Sequence, residues 1–211
     1  MEKQNWSNII DSKHSYLDLK LKEVWEYRDL IYMLVKRDFI TGFKPTILGP
    51  LWFFINPILT TIMYVVIFGN VAKLSTDGAP QIVFYLAGVT LWNYFSSCLL
   101  SISTVFRSNA NVFGKVYFPR LIMPLSIVIS NLMKFLVQYA LFILAVGYYW
   151  SQGRIEPNLW VLATPFLILL MGGFSMGLGM IISSLTTKYK DFAMLVGFGV
   201  SLWMFITPVI L

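Results

Sequence analysis

The sequence predicts an all-α integral membrane protein, and three observations carry that reading. Hydrophobic residues make up 57% of the 211-residue chain, mean hydropathy is +0.71, and charged residues are only 12%, where a soluble domain carries about 25%. Charge-free runs extend from Pro45 to Ala72, Gly78 to Phe106 and Pro157 to Thr187. Each exceeds the ~20 residues a helix needs to cross a bilayer, and none alternates as a barrel strand would. Finally, lysine and arginine are distributed very unevenly among the segments between those runs.

Taken in order, residues 1–44 form a polar tail and an amphipathic helix, and 45–211 a membrane domain. The tail carries the only histidine, His14, and lacks the apolar core of a signal peptide. From about Tyr16 to Phe43, Val24, Tyr27, Ile31 and Leu34 recur at helical steps, with Lys22, Glu23, Glu26 and Asp29 mostly off that stripe. Trp25, Tyr32 and Phe39 suit the headgroup level. This reads as a helix lying on the membrane surface.

About five spans follow, near 47–72, 81–106, 125–150, 158–186 and 192–211. The first contains Asn56-Pro57, a predicted kink, and the third contains Lys134. Polar turns at 73–80 and 151–158 and the Lys188-Tyr-Lys190-Asp191 turn separate them. Gly173 and Gly177 form a GxxxG pair in the fourth span, of the kind that packs helices together. The fifth run closes at Leu211 with no polar cap or anchor, so the chain reads as unfinished.

Orientation comes from the cations. The region before the first span holds eight, the 107–124 loop three and the 188–191 turn two, against Lys73 and Arg154 alone in the other two loops. The excess side faces the cytoplasm, placing the N-terminus, the 107–124 loop and the KYKD turn there. The +6 net charge is thereby a topology signal and not a nucleic-acid footprint.

Residues 107–124 cannot lie in the membrane. Arg107, Lys115 and Arg120 would each cost at least ~2.5–3.5 kcal/mol at mid-bilayer. Yet Val112, Phe113, Val116 and Tyr117 fall on one face of a short helix, with Phe118 beyond it and Pro119 and Pro124 as breaks. A basic, amphipathic, proline-bounded loop between spans 2 and 3 is predicted to dock a cytoplasmic partner.

The chemistry is sparse. Gly114-Lys115 is the nearest approach to a phosphate-binding loop, but position 109 is Asn and position 116 is Val. No ATP site is expected on this chain. Asp77, Glu156 and Asp191 stand singly at turns, so nothing pairs for acid–base work and no metal site is expected. Cys98 is the single cysteine, which rules out an internal disulfide. Lys134, the one ionisable group inside a span, either snorkels to the headgroups or faces a water-filled path for an anionic substrate. Trp92, Tyr94, Trp203 and Phe205 are either packing residues or a lining for sugar rings.

Several motifs together resemble one family. Lys36-Arg37-Asp38-Phe39 leads into Thr46-Ile-Leu-Gly49-Pro-Leu-Trp52 and Asn56-Pro57-Ile. Gly114-Lys115-Val-Tyr-Phe-Pro119-Arg120 follows, then Trp203 through Thr207-Pro208-Val-Ile. From about Leu21 to Leu211 the chain resembles the transmembrane permease of ABC exporters for O-antigen, capsule and teichoic-acid polysaccharides. The resemblance implies a transporter subunit and not an enzyme, in the bacterial inner membrane. It implies a homodimer of six-span subunits around a sugar-lined channel, with ATP and Mg held by two partner ATPase subunits. Residues 107–124 become the coupling helix, and a lipid-linked polysaccharide the substrate. Family members continue through periplasmic gate segments and a sixth span beyond the motif at Thr207-Pro208. Permeases of small-molecule or lipid exporters share this architecture, and a membrane-bound glycan-modifying enzyme is the reading from another class.

Overall fold

The computed structural model describes residues 21–42, 47–73, 75–76, 78–115, 117–155 and 163–207. His14, Asp77, Val116, Glu156 and Pro208, which enter the sequence readings, lie outside them, as do the ends of the expected 16–43 helix and the start of the expected fourth span. Every described regular element is a helix. Two short helices, α1 (Leu21–Glu26) and α2 (Arg28–Thr41), precede a bundle. The bundle comprises α3 (Trp52–Tyr64), α4 (Gln81–Ser103), α7 (Ile122–Ser151), α8 (Thr164–Lys188) and α9 (Phe192–Ile206). Between α4 and α7 lie the four-residue α5 (Val105–Ser108) and α6 (Ala110–Phe113). Four helical stretches are long and apolar enough to cross a membrane: Trp52–Val71, Gln81–Ser103, Ile122–Ser151 and Thr164–Lys188. The fifth expected span appears as the shorter apolar helix α9.

The amphipathic stripe of the N-terminal region does more than rest on a surface. Val24 and Leu34 are buried, and Tyr27 and Ile31 pack against the same cluster, which includes Phe118, Ile122 and Phe135. α2 lies along α7. The opposite edge leaves Trp25 and Tyr32 exposed, as headgroup-level aromatics would be.

α3 runs unbroken through Pro57, which is buried within it. The irregularity lies at the other end, where Val65–Val71 winds as a π-helix. Gly69 sits there against the Gln81 side chain, leaving no room for a Cβ. α7 starts between the two prolines. Pro124 occupies its first turn, where no intrahelical donor is needed.

α4 is the central helix and touches α3, α7, α8 and α9. Its seam with α8 uses Gly172, Ser175, Gly179, Ser183 and Thr186, all buried. A Cβ on Gly179 would fall 2.7 Å from Ile102 Cγ2, and one on Gly172 2.7 Å from the Tyr94 hydroxyl. The Thr186 hydroxyl donates to the Ser103 carbonyl, satisfying an acceptor that the end of α4 leaves without a helical partner. The GxxxG pair Gly173 and Gly177 meets nothing within 4 Å, because it falls on the face turned away from α4. The small residues at the α4 seam are its neighbours Gly172, Ser175 and Gly179.

Candidate functional site: a polar trench above a docked basic segment

Chain connectivity brings α1–α2, the 104–121 segment and the 189–191 turn to one end of the bundle. The ends of α4 and α8 are tied there by the Thr186–Ser103 bond and by the Phe106 amide, which donates to Ser183 Oγ at 3.4 Å.

The 107–121 segment is less helical than its periodicity suggests. α6 ends at Phe113, Gly114 and Lys115 form a turn, and residues 117–119 lie outside any helix. The expected single apolar face therefore divides. Phe113 is half-buried between Phe106 (ring centroids 5.7 Å apart) and Phe118 (5.2 Å, stacked). Phe118 is only 6% exposed and belongs to the main core. These two rings seat the segment on the bundle. Val112 and Tyr117 point outward with Arg107, Lys115 and Arg120, and Tyr117 is 65% exposed. Three cations and two apolar side chains are thus exposed along this segment.

Above this segment a polar trench enters the bundle. Its mouth, about 520 Å³, is bounded by Arg37, Asp38 and Thr41 of α2, by Ser101 of α4, by Thr104 and Ser108 at the N-cap and last residue of α5, and by Ser130, Asn131 and Lys134 of α7. A deeper cavity of about 190 Å³ shares Asn131 and Lys134 and adds Asn56, Asn93, Tyr94, Ser97 and Gln138. Helical spacing builds both walls. Asn93, Ser97 and Ser101 recur every four residues on α4, and Asn131, Lys134 and Gln138 every three or four on α7.

Lys134 stands where the two compartments meet. Its ammonium donates to Asn131 Oδ1 at 3.3 Å. It lies twelve residues into α7, on the order of 18 Å from that helix's start. Among the described residues no carboxylate lies within salt-bridge distance of it. Asp38, at the mouth, is held by Arg37, whose Nε and Nη2 donate to Oδ1 at 3.0 and 2.9 Å. The Ser130 hydroxyl is buried behind this wall, without a hydrogen-bond partner among the described residues. The trench is therefore a hydrogen-bonding surface with a net positive point, set in an apolar bundle.

The structure unites only part of the expected channel lining. Tyr94 and Lys134 share the deeper cavity. Trp92 is buried with Phe95, Leu99 and Val200 against α9. Trp203 sets its edge on Phe95 at 5.8 Å, and Phe205 is exposed on the outside of α9. The sequence reading gave Asn56 no lining role and passed over Asn93, Ser97, Asn131 and Gln138. Their signal was present as polar residues inside apolar runs at helical spacing. Among the described residues no group of three or more His, Cys, Asp or Glu could hold a metal ion.

The described residues thus form a multi-span helical bundle with a polar trench and an exposed basic segment at one end. The chain belongs to the ABC-2 type transporter family, whose model matches residues 29–211. It is thus a membrane-embedded permease that works with a separate ATP-binding subunit. Curated relatives include an O-antigen export system permease from Myxococcus xanthus, 28% identical over 90% of this chain and 71% of the relative. Two proteins of the same description from Klebsiella pneumoniae are 28% and 27% identical. They cover 86% and 92% of this chain, and 68% and 73% of their own lengths.

Proposed function

We propose that this chain is the permease of an exporter that carries a lipid-linked polysaccharide, of O-antigen, capsule or teichoic-acid type, from the cytoplasm across a bacterial inner membrane. The observation that carries this reading is the trench. Hydroxyl and amide groups on its walls exchange hydrogen bonds with a hydroxyl-rich chain at little net cost. An apolar cargo would gain nothing from them. The substrate named for the relatives agrees with that lining.

A second copy of the chain completes the channel, and ATP and Mg bind to the partner ATPase subunits. The thirteen-to-two distribution of cations favours a cytoplasmic N-terminus, so the mouth beside Arg37 and Asp38 is the loading side. An ATPase that grips Val112, Tyr117 and the neighbouring cations pushes on Phe113 and Phe118. Those rings bear on Phe106, which leads back to α4, and on the start of α7. The motion therefore reaches the two helices that carry the trench walls. Lys134 would hold acidic or phosphorylated groups of the passing glycan.

The test replaces Lys134 and Asn131 in a cell that depends on this permease. Lys134→Met with Asn131→Leu should reduce surface glycan at least roughly tenfold, the effect of losing one charge-assisted hydrogen bond. Carrier-linked glycan should accumulate inside while the membrane level of the protein holds. Lys134→Arg should retain most export. Wild-type surface glycan in the double variant would refute the trench as the path.

A further inference from the structure

A second groove, about 630 Å³, opens on the outer side of α2 where it crosses α7. Its floor is apolar: Ile31, Val35 and Phe39 from α2 face Ile129, Met133 and Leu136 from α7. Its rim is basic, formed by Arg28 and Lys36 with Tyr32 between them. These three recur every four residues, so they make one row along α2, beside the exposed ring of Trp25. The groove is separate from the polar trench, which lies on the other side of α7 and has different walls.

We propose that this groove binds an anionic glycerophospholipid, with one acyl chain between α2 and α7 and the phosphate held by Arg28 and Lys36. Three features select that occupant. The floor offers hydrocarbon and no hydrogen-bonding side chain, as an acyl chain requires and a sugar does not. The rim is cationic and not committed elsewhere. Arg28 has only a 3.9 Å pairing with Asp29, both side chains being mostly exposed, and such pairs hold little. Lys36 has no carboxylate within salt-bridge distance among the described residues. The two cations stand two helical turns apart, ~12 Å along the axis, and both line the one groove, so their long side chains can close on a single phosphate. Trp25 and Tyr32 mark the headgroup level beside them. A zwitterionic lipid would fill the floor equally well but would bring a choline or ethanolamine cation to the rim.

The lipid's consequence is mechanical. α2 also contributes Arg37, Asp38 and Thr41 to the trench mouth, so a chain wedged between α2 and α7 sets how closely that mouth is held.

The experiment is native mass spectrometry of the purified full chain in detergent, with equimolar palmitoyl-oleoyl phosphatidylglycerol and phosphatidylcholine. We expect one phosphatidylglycerol retained per chain in at least roughly fivefold preference, about the effect of one cation on an anionic headgroup. The preference should shrink as salt is raised. Arg28→Gln with Lys36→Gln should remove the preference while leaving lipid bound. Met133→Phe with Leu136→Phe, which narrows the floor, should remove the retained lipid. Equal retention of both lipids by the wild type overturns the proposal. So does a preference that survives either double variant, since that would be surface attraction without a site. Glycan export is not the readout, so failure here leaves the transport reading untouched.

Discussion

Tyr117 and Phe118 are adjacent aromatic residues that the structure assigns to opposite surfaces, and that contrast gives the sharpest prediction. Tyr117 is 65% exposed, so Tyr117→Asp should change the permease's own stability by no more than about 0.5 kcal/mol. If an ATPase groove closes over Tyr117, the same substitution buries an unpaired carboxylate. Losing one such contact costs about 3 kcal/mol or more, which weakens association roughly 100-fold. Phe118 is 6% exposed and stacked on Phe113. Phe118→Ala should therefore cost about 3–5 kcal/mol of the permease's own stability. The assay measures two quantities on each variant: thermal unfolding of the permease alone in detergent, and titration of its purified ATPase partner onto it. Tyr117→Asp should unfold like wild type and fail to bind, with export lost in cells. Phe118→Ala should unfold at markedly lower temperature. Should Tyr117→Asp bind the ATPase with wild-type affinity, the outer face is not the docking surface. Should Phe118→Ala melt normally, the ring does not seat the segment.

Two further predictions follow from packing and charge. Gly179→Ala should destabilise the purified chain by about 1–3 kcal/mol, because its Cβ meets Ile102 across the α4–α8 seam. Gly177→Ala meets nothing within the chain and should melt at or slightly above the wild-type temperature, because it removes a flexible residue from a helix. Equal destabilisation by both would contradict the assigned seam. For orientation, cysteine at position 76 or 152 in a Cys98→Ala background should react with an impermeant maleimide added to cells, whereas cysteine at 111 or 189 should react only after lysis. The reverse pattern would invert the proposed topology and move the trench mouth to the outside.

Much of this molecule is determined by the sequence alone. Helical class and approximate spans follow from long charge-free runs, since a backbone in hydrocarbon must satisfy its own hydrogen bonds. The stripe Val24, Tyr27, Ile31 and Leu34 identified the buried face of α1 and α2, because a 3.6-residue period puts those side chains together whatever they pack against. The exclusion of 107–124 from the bilayer came from the cost of three cations. What periodicity cannot say is which of two adjacent faces meets a neighbour. Gly173 and Gly177 matched a packing motif, yet Gly172 and Gly179 occupy the seam, because the rotation of α8 is set by Ile102 and Tyr94 on a different helix. Phe113 and Val112 looked equivalent, but only Phe113 has Phe106 and Phe118 to stack on. The trench is the clearest case. Asn56, Asn93 and the Asn131–Lys134 pair lie far apart in the chain and are individually costly in a membrane. Only the packing of α3, α4 and α7 brings them together, where each gives the others the polar surroundings that the lipid would deny.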